Sequence, residues 1–160
     1  MQYSKNNIIR GAIIYPAGDT IAALLLHEFS WIRLLGIMFI GATFYAFEIP
    51  NYFAWIERIT QSFSKVKQTL IKTLLAISYF NPLWIARHLL FIKIFTGTLN
   101  TLGWDILAVS GWSFLVNIPI SFIANYLIQN VVKLKWRFFA SAIFSSLMAI
   151  YYAMSFVLFN

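Results

Sequence analysis

The segment 8–26, IIRGAIIYPAGDTIAALLL, carries an aspartate near the middle of an apolar run long enough to cross a bilayer. A helix rises about 1.5 Å per residue, and the hydrocarbon core is about 30 Å thick. An aspartate at the centre of such a helix costs about 2.5–3.5 kcal/mol on insertion. Asp19 therefore needs a partner, a water-filled cavity or a bound proton.

Further apolar runs occur at 31–56, 73–92, 106–128 and 138–159. This pattern predicts an all-α fold: one integral membrane domain over 1–160, a polytopic bundle of about five transmembrane helices. Composition agrees, with 61% hydrophobic residues, 11% charged residues and a mean hydropathy of +0.76. Soluble domains run at about 45–50% apolar and about 25% charged, so the bilayer is the expected solvent. No cleavable signal peptide is read at the start, because Gly18-Asp19 interrupts the first run. The absence of cysteine excludes disulfides and thiolate chemistry.

The connection 27–30 is so short that the first two spans must form an antiparallel hairpin. Pro50 predicts a bend in the second span. Between the second and third spans lies ERITQSFSKVKQTLIK. Ile59, Phe63, Val66 and Leu70 share one helical face there, with Arg58, Lys65, Lys67 and Lys72 around the rest. That is the pattern of an interfacial amphipathic helix on a bilayer with anionic headgroups.

Basic residues predict the orientation. With the N-terminus inside, nine of the twelve lie inside: Lys5, Arg10, Arg58, Lys65, Lys67, Lys72, Lys133, Lys135 and Arg137. Arg33 and Lys93 fall outside, and Arg87 within the third span. The bias follows the positive-inside rule, and the net charge of +7 reads as topology rather than nucleic-acid binding. Trp31, Trp55, Trp104 and Trp136 fall near the predicted interfaces.

Polar residues at membrane depth are the candidate lining of a solute passage: Asp19, Glu48, Asn81, Arg87, His88, Asn117 and Asn125. Fractional depths bring Asp19 and Arg87 to one level and predict an ion pair between them. Asp19, Glu48, Asn81 and Asn117 are expected to face one cavity. In the last span, Ser141, Ser145, Ala149 and Ala153 recur every four residues. Such a stripe lets another helix approach closely, either a span of this chain or a second copy in a homo-oligomer. Catalytic signatures are missing: neither histidine has metal-ligand spacing, and no phosphate loop or GxSxG occurs. The chain is read as a non-enzyme with no cofactor or metal, whose partners are the bilayer and a small polar solute.

A family pattern runs through the same residues. Gly18-Asp19, Pro50 with Trp55, Lys72, Pro82, Gly97, Trp104, Pro119, Asn125-Tyr126 and Arg137 resemble the Mpv/PMP family of peroxisomal and mitochondrial inner-membrane proteins. The chain departs from that pattern at Ala23, Ala76-Ile77, Ile118 and Phe122, where the family carries polar or tryptophan residues. The resemblance implies structural roles for Gly18, Pro50, Pro82, Gly97 and Pro119, and a pore-like membrane protein. Asp19-Thr20 with Ala22, Phe80-Asn81-Pro82, and Asn117-Ile118 with Ser121 also look similar to the small bacterial alanine exporters. Both resemblances imply passage of small solutes, by a channel or by an ion-coupled exporter. They imply a bacterial cytoplasmic membrane or, in a eukaryote, a mitochondrial inner or peroxisomal one.

Overall fold

The structure is a computed structural model that describes residues 3–158, with side chains described as far as Tyr151. The described residues form helices and their connections, with no strand. Helix α1 spans Lys5–Leu25; α2, Trp31–Ile40, continues through a π-helical turn, Gly41–Tyr45, into α3, Ala46–Thr60. Helix α4 spans Lys65–Tyr79, α5 Pro82–Thr96, α6 Asp105–Asn130 and α7 Leu134–Leu158. Among the described residues, four stretches are long and apolar enough to cross a membrane: Lys5–Leu25, Trp31–Thr60, Lys65–Thr96 and Asp105–Asn130. The expected last span ends at Phe159, outside the described residues.

Local chemistry sets the boundaries. The side chains of Ser4, Ser30 and Asn81 accept hydrogen bonds from the backbone N–H groups of Asn7, Arg33 and Trp84, capping α1, α2 and α5. Pro82 occupies the first turn of α5, where its missing N–H costs nothing. Gly97 ends that helix at φ +71°, a left-handed conformation that favours glycine. The basic stretch after the second span is divided. Its first residues close α3, and from Lys65 it opens α4, with Val66 and Leu70 exposed. Lys72 is buried and pairs with Glu57 at 2.8 Å, and Glu57 also accepts from Arg137 at 2.6 Å. One carboxylate thus ties α3, α4 and α7 together.

Helix α1 is the central element and lies against α2, the π turn, α3 and α7. Small residues permit the approach. A Cβ on Gly18 would sit 2.6 Å from the Ser146 backbone of α7, and one on Gly11 would run into the Gly41 carbonyl. The Ser146 hydroxyl donates to the Ile14 carbonyl. The small-residue stripe of α7 is therefore occupied within the chain: Ser141 and Ala149 are buried, Ser145 is half-buried, and the Ala153 side chain lies outside the described residues. Pro50 and Pro119 lie inside continuous helices, and the irregular turn of the second span precedes Pro50. Many large apolar side chains face outward, among them Ile32, Leu83, Leu115 and Ile123, as a lipid solvent allows.

Candidate functional site

Besides the Glu57 cluster, three polar systems occupy the interior among the described residues, and Arg33 joins the first to the third. The first is Asp19 with Arg33. Arg33 Nε and Nη2 donate to the two Asp19 carboxylate oxygens, each at 2.8 Å, in a bidentate fork. Asp19 is 1% and Arg33 3% exposed. The expected Asp19–Arg87 pair does not form. Arg33 looked like an outside charge because it opens the second span, but the hairpin brings it back. Asp19 lies six residues before Leu25, about 9 Å, and Arg33 two after Trp31, about 3 Å. The arginine side chain bridges the difference.

The second system is a buried seam along α6. Ser110, Ser113, Asn117, Ser121, Asn125 and Gln129 recur at helical spacing and are all buried. The Asn117 amide donates to the Ser121 hydroxyl at 2.8 Å, and the Asn125 amide to the Ser121 carbonyl at 2.9 Å. Asn117 and Asn125 hydrogen-bond along their own helix, and neither lines the cavity at the end of the bundle or the one on its flank. The expectation of one cavity shared by Asp19, Glu48, Asn81 and Asn117 is thereby corrected. Only Glu48 and Asn81 of those four meet, because Asp19 is sealed by Arg33 and the asparagines are folded into the seam.

The third system is two cavities, beside a mainly apolar one of about 540 Å³ that Leu83, Arg87 and Trp104 border. One, of about 620 Å³, lies at the end of the bundle that carries the α1–α2 turn, and Glu28, Ser30, Arg33, His88, Lys93 and Thr101 line it. Arg33 Nη1 faces Glu28 there at 3.6 Å, and Lys93 donates to the Thr101 hydroxyl at 2.6 Å. The other, of about 410 Å³, opens on the flank where the third span breaks, and Glu48, Ser78, Asn81, Trp84 and Arg87 line it. Phe80 and the extended Asn81 interrupt Lys65–Thr96 at its middle. Arg87 donates through Nη1 to Glu48 Oε1 at 3.2 Å, with Nη2 3.0 Å from Oε2. Both side chains are about one-third exposed, 34% and 36%.

Between the two cavities stands a layer of rings. Trp84 of the flank cavity and His88 of the end cavity are one turn apart on α5 and stack at 6.0 Å, with planes 4° apart. The Tyr45 hydroxyl shares a hydrogen bond with His88 Nδ1 at 3.0 Å, and the Tyr45 ring lies 5.4 Å from Trp84. Tyr45 is fully buried and closes the π turn. That turn adds a residue to the helical register, which rotates α3 relative to α2 by about 100°. Tyr45, Ile49, Phe53 and Ile56 consequently share the interior face.

Sequence reading missed Arg33, Tyr45 and Trp84. The hairpin geometry could have found Arg33; no periodicity announces a π turn, so Tyr45 was hidden. Among the described residues, no three His, Asp or Glu side chains gather closely enough to hold a metal ion. The chain matches no family model, no curated protein and no solved structure.

Proposed function

We propose that this chain is a membrane passage for small polar solutes, channel-like or carrier-like, closed at the layer of Tyr45, Trp84 and His88. The observation that supports the reading is that the end cavity and the flank cavity each border one member of the same ring stack, His88 and Trp84. Cavities of this size suit small molecules, for which pockets run about 300–1,000 Å³. A helix broken at membrane depth is tolerated where it borders a cavity, and such breaks recur at the solute sites of transporters. The resemblance to the Mpv/PMP family leads to the same class of function. With the N-terminus inside, the end cavity faces outward. Passage requires the rings to part, and the Phe80–Asn81 break gives α5 a point about which to move.

Reconstitution of the full chain into liposomes tests this. Release of uncharged polyols should fall steeply with size, and saturation with concentration would mark a carrier where proportionality marks a channel. Protein-containing liposomes that leak no faster than empty ones would overturn the reading in favour of a structural membrane protein.

A further inference from the structure

We propose that the end of the bundle carrying the α3–α4 and α6–α7 turns holds the headgroup of an anionic phospholipid, its phosphate between Lys65 and Lys133. The site is built outward from Glu57. That one carboxylate takes two buried cations, Lys72 at 2.8 Å and Arg137 at 2.6 Å, so the cluster keeps a surplus positive charge. The Glu57 side chain is 27% exposed, which brings the cluster to the surface at this edge. Among the described residues no other acidic side chain lies at this end. Asp19 and Glu28 sit with Arg33, Glu48 with Arg87, and Asp105 opens α6 at the opposite end. The balancing anion therefore comes from outside the chain.

Helical spacing places it. Lys65 is seven residues before Lys72, on the same face of α4 and two turns nearer the end of the bundle. Lys133 is four before Arg137, and the Arg137 side chain runs back toward it, Nε donating to the Val132 carbonyl at 3.0 Å. Both lysines are exposed. Helices α4 and α7 begin here with no acid in the first turn, so two positive helix ends add to the attraction.

The surroundings decide the kind of anion. Exposed Trp55 and Trp136 stand two residues from Glu57 and one from Arg137, which puts the cluster at the level of an aromatic belt. The lysines are interleaved with exposed apolar side chains, Val66 beside Lys65, and Val131 and Leu134 around Lys133. Such turns lie in the bilayer interface, where the available anion is a lipid phosphate. A zwitterionic lipid brings its own cation and leaves the surplus charge in place.

The test uses the purified full chain in dodecyl maltoside, with lipid retention read by native mass spectrometry. The probes are phosphatidylglycerol and phosphatidylcholine of equal chain length, with glycerol 3-phosphate as a soluble competitor. Wild type should retain phosphatidylglycerol at least about tenfold more tightly than phosphatidylcholine. Lys65→Gln with Lys133→Gln should remove most of that preference. Lys67→Gln with Lys135→Gln removes the same charge from the same two helices, but from faces turned more than about 130° away. That control should leave the preference within about twofold. All four side chains are exposed, so both variants should fold. Equal losses in the two double variants would mean a diffuse field and overturn the site, as would equal retention of the two lipids. Displacement of phosphatidylglycerol by equimolar glycerol 3-phosphate would overturn the lipid in favour of a free phosphate. Solute release is a separate readout, so the passage reading stands or falls on its own.

Discussion

Two of the carboxylate–arginine pairs among the described residues stand in opposite surroundings. Asp19 and Arg33 meet in a bidentate fork at 2.8 Å and are almost wholly excluded from the surface. Glu48 and Arg87 meet at 3.0–3.2 Å beside a cavity and stay one-third exposed. The residue types are nearly the same, so the packing around them makes the difference. Gly18, next to Asp19, lets α7 close over α1, while the break at Phe80–Asn81 leaves room beside Glu48. The fork uses both Asp19 oxygens and leaves only Arg33 Nη1 toward the end cavity, so its main work is to hold α1 to α2. A partly exposed pair beside a cavity can exchange partners.

The largest expected effect comes from breaking the sealed pair. Asp19→Asn or Arg33→Gln should cost about 3–5 kcal/mol, because Asp19 is left with no counter-charge and Arg33 with only Glu28, 3.6 Å away. Denaturation by sodium dodecyl sulfate in mixed micelles would measure it. The double variant should lose less than the sum of the two, and additive losses would mean the fork contributes no coupling.

Tyr45→Phe probes the layer between the cavities. It keeps the ring and removes only the hydrogen bond to His88, worth about 1 kcal/mol. If that bond helps hold the layer shut, liposome leak should rise up to about fivefold. An unchanged leak with unchanged stability would remove Tyr45 from the closure.

The smallest stability effect belongs to the open pair. Glu48→Gln should cost no more than about 1 kcal/mol, as for partly exposed ion pairs. Flux should change in charge preference instead. A loss as large as that of Asp19→Asn would erase the distinction between the pairs.

Much of the architecture was legible. The fold class, the first hairpin and the spans near 8–26 and 106–128 come from apolar run length, and α1 and α6 match them to within a few residues. The polar residues were legible as a set, because lipid permits few of them. Their partners were not. Fractional depth treats each residue as a point on a straight rod, but Arg33 reaches along its side chain to Asp19. Glu48 and Arg87 come level only because the third span breaks at Asn81. Glu48 lies twelve residues from Thr60, about 18 Å, and Arg87 twenty-two from Lys65, about 33 Å along an unbroken helix. His88 was legible as a polar residue at membrane depth, but its hydrogen bond beside the end cavity is to Tyr45, which the π turn carries inward.

The most direct test of the contrast is thiol reactivity in this cysteine-free chain. Single cysteines at Ser78 and Asn81 border the flank cavity, and single cysteines at Ala22 and Ala23 lie on α1 within about one turn of Asp19, each 1% exposed. A small water-soluble thiol reagent should modify the first two readily in membranes. The last two should react only through local opening, about tenfold more slowly for each 1.4 kcal/mol that opening costs. Equal rates at all four positions would contradict the account.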